Sequence, residues 1–411
     1  MNQVIKKRIE DINNGIVPEG YKQTPFGIFP CDWETDKEFV DFCEINPRTG
    51  KLDEEFVYID LESVVDGKLI QKNIIRLCDA PSRAQRVLSE NDVLYQMVRP
   101  YQKNNFIFQH NEWEIQTVAS TGYAQLRNDN PTFLYQLINS EHFCAQVVTK
   151  CTGTNYPAIN SEDLGKVVVS FPKDKTEQGK IAEILMKWDE AIELQEQYIQ
   201  KLELRKKAYI DKFFTEKSCN CVFKDLYVQS GEGGTPDTKK VEYYENGNIP
   251  FVKIEHLYEK YIDEIDSFIT EEGLKKSGAW LVPENSLIFS NGATIGECSI
   301  NRIPVATKQG ILGIVHSEKL ELEYFYYLLK SVYFLNKIKK ITTKGTMCTA
   351  YLKDIDKLKL YIHSKAEQSA ISKLLGKVDE EISLQKEKLA KIKEQRKAMQ
   401  QYLLTGVVRV G

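Results

Sequence analysis

Metal-ligand spacing is missing from this sequence. Its nine cysteines stand at 31, 43, 78, 144, 151, 219, 221, 298 and 348, and none forms a Cys-x-x-Cys pair. Structural zinc sites want such pairs with further Cys or His nearby. The five histidines (110, 142, 256, 316, 363) are dispersed and build no His-Glu-x-x-His. Free buried thiols in a reducing compartment are therefore expected. No run approaches the roughly 18 apolar residues of a membrane-spanning helix, and Met1–Lys6 lacks a signal-peptide core, so a cytoplasmic location is expected. Nucleotide chemistry is missing too: there is no Gly-x-x-x-x-Gly-Lys-Ser/Thr and no Gly-x-Gly-x-x-Gly opening a helix. Gly231-Glu232-Gly233-Gly234-Thr235 lacks the lysine and helix of a phosphate cradle and reads as a turn. An Asn/Asp-Pro-Pro-aromatic signature of amino-methyl transfer is likewise missing. Together these absences point to a binding protein rather than an enzyme. Net charge is also small. Lys and Arg number 55 against 59 Asp and Glu, a formal charge of −4, which argues against bulk attraction to nucleic acid but leaves room for local basic patches.

What the chain does have is a repeat. Glu177-Gln178 and Glu367-Gln368 open matching segments 190 residues apart. At that offset Ile181 meets Ile371, Leu185 meets Leu375, Asp189-Glu190 meets Asp379-Glu380, Ile192 meets Ile382, and Leu194-Gln195 meets Leu384-Gln385. Alternating steps of four and three pick out a seam in each copy. In the first it runs Ile181, Leu185, Trp188, Ile192, Gln195, Ile199, Leu202, Lys206, Tyr209, Phe213. In the second it runs Ile371, Leu375, Val378, Ile382, Gln385, Leu389, Ile392, Arg396, Met399, Leu403. A heptad seam sustained this long predicts two helices that pair as a coiled coil, each on the order of 50 Å at 1.5 Å per residue. Gln195 and Gln385 share one seam position and are expected to set register. Lys206 and Arg396 share another, where they either set register or reach out to solvent.

The segments before the helices echo each other more faintly. Glu90-Asn91-Asp92-Val93-Leu94 resembles Glu284-Asn285-Ser286-Leu287-Ile288, and Phe133–Leu137 parallels Tyr324–Leu328 as a short amphipathic helix. Short strand-like runs broken by Gly, Pro and Asn predict mixed α/β domains. The expected fold class is α+β: two mixed domains separated by two long helices in an antiparallel intramolecular coiled coil, with a pseudo-two-fold internal repeat. The expected organisation is a helical segment at 1–20, domains at 21–174 and 218–364, and helices at 175–217 and 365–411.

Several segments resemble the specificity (S) subunit of Type I restriction-modification systems. Thr24-Pro25-Phe26-Gly27-Ile28-Phe29-Pro30-Cys31-Asp32-Trp33-Glu34, Pro81-Ser82-Arg83-Ala84 and Asp92–Tyr101 are similar to its first half. Gly233-Gly234-Thr235-Pro236, Gly247–Val252 and Gly292-Ala293-Thr294-Ile295-Gly296 are similar to its second, and the two Glu-Gln helices to its spacer regions. The second half departs from the pattern at Ser290-Asn291, where a basic residue often stands. The resemblance covers nearly the whole chain. It implies two target-recognition domains, each reading one half of a split double-stranded DNA target, with the helices setting the spacer. It further implies docking of two modification (methyltransferase) subunits, with restriction (helicase-nuclease) subunits joining through them. The chain itself would need no cofactor or metal, because S-adenosylmethionine and ATP would belong to those partners. The alternative class is a coiled-coil interaction scaffold that does not bind DNA.

Base edges are read by Arg, Lys, Asn or Gln on loops, and phosphates are held by basic and hydroxyl side chains. In the first domain Arg83, Arg86, Arg99, Tyr101, Lys103 and the loop residues Thr154, Asn155 and Tyr156 meet that description. In the second Thr235, Lys253, Asn291, Lys308, Gln309, Lys344 and Thr346 do, with the commonplace pair Lys239-Lys240 beside them.

Overall fold

The long helices begin where the sequence supplies caps. In a computed structural model, which describes residues 3–109, 115–292, 294–343 and 348–410, they span Lys175–Phe213 and Lys365–Leu404. The Asp174 carboxylate accepts the Thr176 N–H at 2.8 Å. Ser364 and Glu367 form the reciprocal arrangement of a capping box, with Glu367 Oε2 taking the Ser364 N–H at 2.9 Å and Ser364 Oγ taking the Glu367 N–H at 3.4 Å. The repeated Glu-Gln owes its glutamine to the same entrance. Gln178 is buried and donates to the Pro172 carbonyl at 2.8 Å, and Gln368 is buried and donates to the His363 carbonyl at 2.9 Å. Each thereby closes its helix onto the segment leading into it. The second helix ends at Leu404, two residues before Gly406, whose φ of +70° suits a left-handed C-terminal cap.

None of the twenty seam positions is exposed. The chain divides into two compact units, Met1–Gln195 with Lys388–Gly411, and Glu196–Glu387, so each helix contributes one part to each unit. Within the first unit Ile181 and Leu185 share a core with Leu403 and Leu404. Within the second, Leu202 packs with Val378 and Ile382, and Ile210 joins the core of Ile371 and Leu375. The start of one helix therefore meets the end of the other in both units, which is antiparallel pairing.

Each unit carries two main sheets of four or five strands, smaller two-stranded sheets and short helices, so the fold is α+β. In the first unit the strands Phe106–Ile107, Val93–Gln96, Tyr123–Arg127 and Glu44–Ile45 form an antiparallel sheet. A second sheet runs Asn73–Arg76, Glu55–Ile59, Thr117–Ser120, Ala84–Val87, with its central pair parallel. The other unit repeats the plan. Tyr227–Glu232, Ile311–His316, Ser286–Ser290, Cys298–Asn301 and Tyr261–Ile262 form one sheet. Phe268–Ile269, Ile249–Val252, Val305–Thr307 and Leu281–Val282 form the other, again with a parallel central pair. Nearly continuous burial of Val93–Gln96 and Ser286–Ser290 accounts for their apolar runs. Among the described residues no helix is long and apolar enough to cross a membrane. The thiols are free but, against expectation, only Cys43, Cys144 and Cys298 are buried, while Cys31, Cys78, Cys219 and Cys348 lie exposed; burial pushes Cys298 up to about 12.

Polar groups tie each sheet domain to its share of the helices. In the first unit Arg396 donates to both Asp189 oxygens at 2.8 and 3.3 Å and to Gln136 Oε1 at 2.8 Å, while Gln136 Nε2 donates to Asp189 at 2.9 Å. In the second, Lys206 pairs with Asp379 at 2.5 Å, and the Tyr327 hydroxyl donates to the same carboxylate. Asp189 corresponds to Asp379, Arg396 to Lys206, and Gln136 to Tyr327, so one lock is built twice. Burial pushes the Asp379 carboxyl up, but the Lys206 ammonium outweighs it, with Tyr327 and Lys260 assisting, and holds it below the usual range. Lys206 and Arg396 are thus cross-helix partners rather than solvated side chains. Gln195 is buried, and Gln385 donates to Glu381 one turn back at 2.8 Å.

Candidate nucleic-acid interface

The loops at one end of each sheet system converge through main-chain hydrogen bonds. In the first unit the Met97 N–H donates to Gly122, Ile159 to Met97, Arg99 to Pro157 and Thr121 to Arg83. These bonds gather the strand end at 96–99, the turn at 121–122, the start of the strand Ala84–Val87 and the loop at 152–158. Thr152 and Ala158 exchange two bonds of 2.9 Å, which closes the loop's neck. Thr154, Asn155 and Tyr156 at its tip are exposed. Arg83 and Tyr101 are exposed as well. Arg86 is half-buried on an edge strand; its Nε is buried with no hydrogen-bond partner, and burial lowers the guanidinium's pKa. Arg99 lies over the Tyr156 ring, with Cζ 4.2 Å from the centroid.

The second unit repeats the scaffold. Asn291 donates its N–H to Gly310, and Ala350 donates to Asn291, the same two bonds that Met97 makes with Gly122 and Ile159. Val252 pairs with Thr307 in the parallel central strands, so Lys253 and Lys308 leave the sheet at the same end. Thr235 is exposed just beyond Gly233, where any Cβ would strike the Thr307 carbonyl at 1.8 Å. Gln309 is exposed and Lys308 partly so. Thr343 and Thr349 bond at the neck of the remaining loop, at 3.2 Å. Lys344 and Thr346 lie outside the described residues.

Two expectations need correction. Asn291 is fully buried, its amide donating to the Ala350 carbonyl at 3.1 Å and to Glu232 at 3.4 Å, so it braces the loop neck and presents nothing to a ligand. The Lys103 ammonium is engaged by Glu141 at 3.2 Å and the Asn139 carbonyl at 3.2 Å, which turns it inward. Sequence reasoning also passed over Arg48, exposed in the turn Asn46-Pro47-Arg48-Thr49-Gly50. The Thr49 hydroxyl donates to the Gln85 carbonyl at 3.4 Å, which sets that turn beside Arg83 and Arg86. Its turn composition was the signal. Glu232 was passed over too: Oε1 accepts the Gly310 N–H at 2.9 Å and shapes the turn carrying Lys308 and Gln309.

One trio of potential metal ligands occurs among the described residues, Glu255, His256 and Asp266. His256 Nδ1 accepts the Lys253 N–H at 3.1 Å, so its proton sits on Nε2 facing Asp266 at 3.0 Å. Both ring nitrogens are occupied in holding the turn after Ile249–Val252.

The geometry is thus one main-chain loop frame built twice, with different side chains hung on each copy. The family model described as the Type I restriction modification DNA specificity domain matches residues 85–204 and again 224–394. The chain belongs to this family. The specificity chain is 26% identical over 436 residues to the Type I restriction enzyme MjaIX specificity subunit of Methanocaldococcus jannaschii, covering 95% of this chain and 96% of the relative. It is 27% identical over 214 residues to the EcoR124I/EcoR124II specificity subunit of Escherichia coli, covering 49% and 52%. In fold it is similar to a chain from a solved structure on complex assembly and conformational transition of the type I R-M system. That match has a TM-score of 0.65 at 19% identity, covering 92% of this chain and 99% of the other. The S subunit from M. genitalium gives a TM-score of 0.52 at 15% identity, covering 90% and 96%. Membership makes the specificity chain a DNA-recognition subunit of a Type I restriction-modification system and sets aside the scaffold alternative.

Proposed function

We propose that the two loop scaffolds each read one half of a split, asymmetric double-stranded target. The single observation that carries this is their equivalence: Met97–Gly122–Ile159 and Asn291–Gly310–Ala350 form the same main-chain frame, while the side chains hung on it differ. Equal frames suit two half-sites, and unequal loops suit two different sequences. Arg83, Arg86, Arg99, Tyr101 and the Thr154–Tyr156 tip would serve the first half-site, with Arg48 beside them. Thr235, Lys253, Lys308 and Gln309, together with Lys344 and Thr346, would serve the second. The paired helices would set the spacer and dock two methyltransferase subunits, through which restriction subunits join. S-adenosylmethionine and ATP would be bound by those partners. The test is to sequence methylated motifs in cells carrying this chain with its neighbouring methyltransferase. A bipartite motif with unlike halves and a constant gap is expected; a continuous or palindromic motif would overturn the reading.

A further inference from the structure

Arg99 has an unusual backbone. It adopts φ 54°, ψ 54°, the left-handed region that non-glycine residues seldom enter, and it does so immediately before Pro100, which narrows its choices further. Such strain persists only where the surroundings over-determine it, and it clusters at functional sites. Here the Arg99 N–H is pinned to the Pro157 carbonyl at 2.7 Å. The side chain then runs onto Tyr156, whose ring lies 4.2 Å from Cζ and is itself 66% exposed. No carboxylate or carbonyl among the described residues takes the guanidinium, and Nε is buried without a partner. Arg76, Arg127, Arg302, Arg396 and Arg409, by contrast, all hold a carboxylate.

We propose that the Arg99–Tyr156 stack reads a guanine in the half-site of the first unit. The proposal rests on the DNA-recognition reading above and adds a base identity to it. Stacking on the ring fixes the guanidinium plane, and the closed loop neck fixes the ring. What remains to act is the terminal edge, two parallel N–H donors. Guanine alone offers two adjacent acceptors, O6 and N7, on its major-groove edge; adenine places an N6 donor there and repels one of the pair. A phosphate needs charge but not a preset plane, so the strained backbone and the stack would be superfluous for it. Lysine could supply the charge but not the paired donors.

The experiment is selection from a random duplex pool by the full chain assembled with its neighbouring methyltransferase, for wild type and three variants. Arg99→Lys keeps the charge, Arg99→Asn tolerates the left-handed backbone, and Tyr156→Leu removes the stack. Wild type is expected to require guanine at one position of one half-site. Both Arg99 variants should lose that requirement by about tenfold to a hundredfold, and Tyr156→Leu should lose part of it, with the other half-site unchanged in all three. An unaltered motif in both Arg99 variants overturns the proposal. So does a uniform drop in affinity with the motif intact, which would mark a phosphate contact. A wild-type motif that is bipartite but lacks guanine in both halves defeats the base assignment alone. A wild type that selects no bipartite sequence defeats the reading on which it rests.

Discussion

Met97 and Asn291 occupy corresponding positions and make the same two main-chain bonds, yet only the asparagine has a side chain that must be satisfied. Replacing Asn291 by Ala strips the Ala350 carbonyl and Glu232 of a buried donor. The expected cost is about 1–3 kcal/mol in the second unit, measured by urea denaturation, with the selected second half-site unchanged. Lys308→Ala should do the opposite, leaving the denaturation midpoint in place while weakening specific binding. A Lys308 variant that binds with wild-type affinity would remove this residue from the interface. Lys103→Ala should cost at most about 1 kcal/mol, since its partner Glu141 is largely exposed. Histidines give the second unit a pH dependence. Burial lowers the pKa of His316 and of His363, with Lys365 and Lys217 adding to it respectively. Both are therefore held neutral in the fold, and His363 Nδ1 faces the Tyr324 hydroxyl at 2.8 Å. Their contribution is complete above the unfolded histidine value of about 6.5 and is lost as pH falls through the lower folded values. The urea midpoint should fall between pH 7.5 and 5.5, and less so in His316→Gln.

At the scale of elements the decisive feature is the lock used twice. Apolar seam residues hold the helices together but slide past one another easily, whereas a basic side chain paired with a carboxylate across the seam, Arg396 with Asp189 or Lys206 with Asp379, fits in one register. Asp189→Ala leaves Arg396 without a carboxylate beside Gln136, and Asp379→Ala leaves Lys206 without one, while Lys260 keeps Glu323. Each should destabilise its own unit by about 1–2 kcal/mol, since the pairs are only partly buried, seen as faster amide exchange around Pro131–Ile138 for the first and Leu322–Lys330 for the second. Exchange that rises equally in both units after either substitution would argue against two separate locks. The periodicity of both helices was legible because a 3.5-residue repeat is written in neighbouring residues. The partners Asp189 and Arg396 were not, since they lie 207 residues apart. In hindsight the 190-residue offset and an antiparallel pairing together predict that one such pair implies the other.

For the whole molecule the proposed role of the helices is to set the spacer. Inserting or deleting one heptad in the first helix moves its seam against an unchanged partner by about 10 Å at 1.5 Å per residue. The methylated motif should then change its gap or methylation should cease; the same motif with the same gap would refute the measuring role. The sequence by itself determined the duplication, the two helices and their seams, and the alternating short strands, because each is a local pattern of apolar spacing and turn residues. Only the tertiary structure decided which polar residues face outward. Asn291, Lys103 and Arg99 look alike in sequence as polar groups near loops. Their roles diverge because a buried carbonyl, a nearby carboxylate and an exposed aromatic ring reach them from 59, 38 and 57 residues away.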